Sequence, residues 1–151
     1  MRFAASLVLT VLVAATAQPA RAVSLDEIAN YKGADRQAVL EAGAKKEGAL
    51  LIYSVGTQID PVIKAFGEKY PYVRASLNRA DATTVARKII EEYQAGVYLG
   101  DGFELSSTGL LAIKQAGLLQ PYSTPEAAMF EETAIEQNRL WVSNRESYGG
   151  I

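Results

Sequence analysis

Cysteine and histidine are both missing from this sequence of 151 residues. Their absence removes disulfide frameworks, Cys/His zinc sites, histidine-ligated haem and every nucleophile pair built on either residue. Any metal ion would need oxygen ligands from carboxylates, tyrosines or a bound anion. An excess of one charge is lacking too, since 15 basic residues stand against 17 acidic ones. Without a basic stripe, nucleic acid is not expected as a partner. Neither GxGxxG nor GxxxxGK followed by Ser or Thr occurs, so Gly56 is a lone glycine rather than a phosphate loop. There is no low-complexity tract, and no repeat beyond an alternation of strands and helices.

What is present begins with the three parts of a secretory signal in residues 1–22: Arg2, an apolar stretch over residues 3–17, and Ala20-Arg21-Ala22 as a small-x-small cleavage site. The uncharged run falls short of the ~20 residues that a bilayer span requires. A cleavable leader is therefore expected, with a periplasmic mature chain starting at Val23, and with no cysteine a lipoprotein anchor is excluded. Removing Arg2 and Arg21 with the leader leaves 13 basic residues against 17 acidic ones. The remaining length suffices for one modest core, burying about two-thirds of the unfolded surface.

The stretch over residues 47–70 organises the rest. Residues 49–53 form an uncharged run of strand length, expected to be buried on both faces as parallel strands between helix layers are. The chain turns at Ser54-Val55-Gly56-Thr57 and enters a helix capped by Thr57, or by Asp60 with Pro61 at the first helical position. Val62, Ile63, Phe66 and Tyr70 then share one face. Upstream, Ser24 and Glu27 make a capping box, and a helix over residues 34–46 ends at Lys45-Lys46-Glu47-Gly48. Downstream, residues 73–78 alternate as a strand near a sheet edge. Asp81 or Thr83 caps a helix over residues 82–95, and residues 101–105 form a weaker third strand before a helix over residues 109–116. Thr124-Pro125-Glu126 starts a short helix, and a last strand is expected from Leu140 onward, interrupted at Ile151.

Strands alternating with helices imply a parallel sheet whose β-to-α loops all lie on one edge, where open α/β sheets bind ligands. The loops are residues 54–58, 78–84 and 106–108. Each is rich in hydroxyls or amides and leads into a helix N-terminus, a combination suited to an anion, with Arg79 adding a charge-assisted bond. Taken singly, Ser, Thr and Asp here are what any helix cap requires, and an isolated Arg79 is an ordinary surface charge. Asp101 and Glu104 form a candidate catalytic pair on one face of the third strand, but no second polar constellation supports them. Trp141 reads as core.

Laid end to end, several pieces resemble the N-terminal half of a family 1 extracellular solute-binding protein, the iron(III)-type periplasmic component of ABC importers. They are Tyr31-Lys32-Gly33-Ala34-Asp35-Arg36, Ala44-Lys45-Lys46-Glu47-Gly48 running into Leu51-Ile52-Tyr53-Ser54, Phe66-Gly67-Glu68-Lys69-Tyr70-Pro71, Glu104-Leu105-Ser106-Ser107, Gln115 to Tyr122, and Leu140-Trp141-Val142. The resemblance implies an α/β fold, the first lobe of a periplasmic-binding-protein-like molecule with a mainly parallel, three-layer sheet in β-α-β-α-β order. It implies residues 23–142 as that lobe, residues 143–151 as the start of a crossover strand, and a second lobe beyond. By position it points to Ser54, Thr57, Arg79, Asp81, Thr83, Ser106 and Ser107 as ligand-binding residues. The implied partners are a small solute, either ferric ion or an anion, and an ABC permease of the inner membrane. A monomer is expected at full length and no cofactor. Paired metal-ligand tyrosines would lie in the second lobe, so no metal ligand is assigned here. The chain departs from the family at Leu99-Gly100-Asp101-Gly102-Phe103, where a compact apolar strand is usual. The rival readings are an exported hydrolase using Glu104 and an interaction module that dimerises through its open edge.

Overall fold

The computed structural model describes residues 24–145; residues 1–23, which include the expected leader, and residues 146–151 lie outside them. Local chemistry sets most boundaries. Helix α1, Leu25–Ala29, opens on the expected capping box: Ser24 Oγ accepts from Glu27 N at 3.2 Å, and Ser24 N donates to Glu27 Oε2 at 2.9 Å. Helix α2, Arg36–Glu47, carries Lys45 and Lys46 in its last turn and stops at Gly48, whose φ of 69° is left-handed. That reversal launches strand β1, Ala49–Ser54.

Neither expected cap starts the next helix. Thr57–Ile59 form a 3-10 turn that runs directly into α3, Asp60–Lys69, so Thr57 opens the turn and Asp60 is the first residue of the helix. Pro61 sits in the first turn, where its missing N–H costs nothing. Strand β2, Arg74–Arg79, follows, and then α4, Ala82–Gln94. Of the two candidate caps for α4, Asp81 is used, accepting from Thr84 N at 3.0 Å. Strand β3 is short, Gly102–Glu104, and α5 spans Ser107–Gln115. The remaining described chain carries two 3-10 turns, Pro125–Met129 and Glu132–Ala134. Of the strand expected from Leu140, the described residues carry an isolated antiparallel bridge between Ile135 and Val142, and its residues 146–151 lie outside them.

The three strands are parallel in the order β2-β1-β3. The crossovers β1 to β2 and β2 to β3 run in opposite directions across the sheet, so right-handed connections place α3 on one face and α4 on the other. β2 lies at an edge, as its wetter alternation predicts. β1 is central but not buried throughout: only Tyr53 and Ser54 are buried, and Ala49 is exposed. The reason is that β3 pairs only with the Ile52–Ser54 end of β1. Ahead of that pairing, Asp101 continues the ladder with its side chain, Oδ2 accepting from Leu51 N at 2.8 Å while Asp101 N donates to Leu51 O at 2.9 Å. Gly100 explains why β3 starts late and irregularly. The Tyr53 ring lies against it so closely that a Cβ there would come within 2.4 Å of Tyr53 Cε2. Tyr53, Val85, Ala86 and Ile113 centre the small core.

Candidate functional site

The strand order reverses between β1 and β3, and that crevice is where an open parallel sheet offers a ligand site. Ser54 ends β1 opposite Glu104, the last residue of β3. Ser54 is fully buried; its hydroxyl donates to Glu104 Oε2 at 2.5 Å and accepts from Gly56 N at 3.0 Å. Val55 N donates to Glu104 O at 3.2 Å, closing the junction of the two strands. Gln58 Nε2 stands 3.4 Å from Glu104 Oε1. The Ser54 hydroxyl is thus fully engaged in positioning Glu104.

Ahead of this junction opens a cleft of about 880 Å³, lined among others by Val55, Glu104, Ser106, Ser107, Trp141 and Arg145. Ser106 precedes α5, but its side chain does not cap that helix, and both serines are exposed. The first N–H groups of a nine-residue helix therefore face the cleft beside two hydroxyls.

The other expected residues are arranged differently. Thr57 is exposed on the 3-10 turn. Arg79 lies across the loop, where Nε donates to Gly56 O at 3.2 Å and Nη2 pairs with Asp60 Oδ1. Asp81 turns into its own helix, accepting from Thr84 Oγ1 at 2.6 Å as well as from Thr84 N, and these bonds hold its carboxyl below the usual range. Thr83 faces away from the cleft, into a groove of about 430 Å³ between α4 and α5 that Thr108 and Gly109 also line. Ser54, Ser106 and Ser107 thus meet at the β1/β3 crevice, Arg79 flanks it, and Asp81 and Thr83 stand apart.

The carboxylate pair does not form. Asp101 and Glu104 are three residues apart on extended chain, which puts them on opposite sides, Asp101 on the backbone of Leu51 and Glu104 on Ser54. Trp141 is half-buried in the cleft wall with Lys114 Nζ 5.2 Å from its ring centroid, rather than in the core. It was missed because the return of residues 122–145 over the sheet edge depends on remote contacts, such as Tyr122 N to Arg139 O at 3.0 Å. A cation three residues past an aromatic-centred apolar triplet, Arg145 after Leu140-Trp141-Val142, was the available signal. Among the described residues, no group of three or more Asp or Glu side chains is arranged to hold a metal ion.

The architecture is mixed α/β, with an all-parallel three-stranded sheet among the described residues. Twelve solved chains match it. One of them, "Trichodesmium (IdiA) (FutA) in complex with iron and citrate ligands", aligns with a TM-score of 0.53 at 20% identity, over 63% of this chain and 30% of its own. The chain thus spans less than a third of that protein. No protein-family model matches the sequence, and no curated protein does.

Proposed function

We propose that this chain is the first lobe of an exported solute-binding protein serving an ABC importer of the inner membrane. The observation that carries this reading is the cleft at the β1/β3 switch point, with Ser106, Ser107 and the N-terminus of α5 open to it. A second lobe would close over that cleft and trap the solute by domain closure. The family resemblance implies ferric ion or a small anion as solute, and the iron and citrate named for the Trichodesmium protein support a solute of that kind. The protein is not expected to catalyse a reaction, because Glu104 has no partner placed as a second acid or base and Asp101 is engaged by the backbone.

The single tryptophan of the sequence lines the cleft and reports on its occupancy. Titration of the native protein with a panel of small solutes that includes ferric citrate, citrate, sulfate and amino acids, followed by Trp141 fluorescence and calorimetry, is expected to show saturable binding of one of them. This chain by itself, with half the contacts, is expected to bind the same solute weakly. Silence of the native protein towards every solute would overturn the proposal. Turnover of an ester or phosphate panel that disappears in Glu104→Gln would establish the hydrolase instead.

A further inference from the structure

The charges lining the cleft narrow its solute, on the premise that it is a solute site at all. Among the described lining residues only two are charged, Glu104 and Arg145, and they are of opposite sign. Arg145 is exposed, and among the described residues no hydrogen bond or ion pair holds it. Its guanidinium has five donors in a planar fork matched to a carboxylate, and the two hydroxyls and free N–H groups at the start of α5 share the same cleft. The Glu104 carboxylate accepts one close bond, from Ser54, and a long one from Gln58. A carboxylate has about four acceptor positions, so Glu104 retains capacity. Ser54, fully buried, holds that carboxylate in place and is a positioning residue.

We infer that the cleft takes a small zwitterion, with its ammonium group on Glu104, its carboxylate on Arg145 and the α5 serines, and its apolar part against Val55, Leu110 and Trp141. A lone anion meets repulsion from Glu104, and a lone amine meets it from Arg145. A molecule carrying both charges satisfies both walls, and the apolar lining accepts a short aliphatic side chain. An α-amino acid has this chemistry at its smallest.

Nitrogen–proton correlation spectra of the full chain, titrated with norvaline, butylamine, butyrate and citrate, test the assignment because they detect weak binding. Norvaline is expected to shift the Trp141 indole and the amides of Ser106, Ser107 and Arg145. Butylamine and butyrate should bind about tenfold more weakly or worse, as loss of one charge-assisted contact predicts. Glu104→Gln, which keeps an acceptor for Ser54, should weaken norvaline about tenfold and improve butyrate. Arg145→Gln, on the surface, should weaken norvaline similarly and spare butylamine. Citrate binding tighter than norvaline, strengthened by Glu104→Gln, would overturn the zwitterion assignment and leave the solute-binding reading standing. Binding of none of the four probes, with ferric citrate also silent on the native protein, would overturn both.

Discussion

Ser54 carries more of the structure than its size suggests. Its hydroxyl joins the ends of β1 and β3 by bonding Glu104 and Gly56 at once, without exposure to water. Ser54→Ala leaves a carboxylate and a backbone N–H without that partner, and urea denaturation should show a loss of about 1–3 kcal/mol. Tyr53, its neighbour, donates to Glu92 Oε1 at 2.8 Å beneath α4. Burial, reinforced by the Glu92 carboxylate, pushes the Tyr53 phenol up to about 12 from its ordinary 10. Its contribution to stability is therefore complete below pH 10 and lost as pH rises through about 12. Thermal melts of the wild type should fall more steeply across that window than those of Tyr53→Phe. Arg79 shows why a motif residue need not be available: the sequence places it at the loop, but only the fold sets Asp60 beside it.

At the scale of elements, the helix boundaries divide into those set by nearest neighbours and those set at a distance. The αL stop at Gly48 belongs to the first kind. No atom stands within 4 Å of a Cβ added there, so Gly48→Ala should cost only the backbone strain, about 1–2 kcal/mol in chemical denaturation. The Pro125–Met129 turn belongs to the second. Arg36, at the start of α2, reaches it through Nη2, at 3.0 and 2.9 Å from the two oxygens of Glu126. The hydroxyl of Thr124, the local backbone and Arg36 bring the Glu126 carboxyl down to about 2 from 4.5. This tether is present above the ordinary carboxylate value and lost as pH falls through about 2. The protection factors of residues 126–129 against hydrogen exchange should fall on acidification across that interval, and Glu126→Gln should give the lower protection and faster exchange at neutral pH. Equal exchange in the variant would show that the turn is held by other contacts. The end of α2 was legible because Lys, Lys, Glu and Gly act locally; the attachment of Pro125–Met129 was not, because its partner lies 90 residues away.

At the scale of the molecule, the sheet ends, among the described residues, in a three-residue strand with an apolar margin, where Tyr98, Leu99 and Phe103 are all exposed. An open edge of this kind promotes association. If the chain is one lobe of a larger protein, this margin is covered there. The native protein recovered from the periplasm should then have an intact mass about twice that of this chain and sediment as a monomer. The isolated chain should associate as its concentration rises, and Tyr98→Ser should reduce that association. A native mass equal to residues 23–151 would favour the dimerising module over a transporter component.

The sequence by itself determined the alternation of strands and helices, the Ser24 and Asp81 caps, the Gly48 stop and the edge position of β2. All of these rest on interactions within a few residues or on the period of burial along one element. Tertiary structure decided that Ser54 is buried on Glu104 and that Gly100 yields its place to the Tyr53 ring. It also brought Trp141 and Arg145 back to the β1/β3 crevice. Those pairings join positions about 40 to 90 residues apart in the chain, and which of many compatible side chains meet is set by how the crossovers pack, not by any local preference.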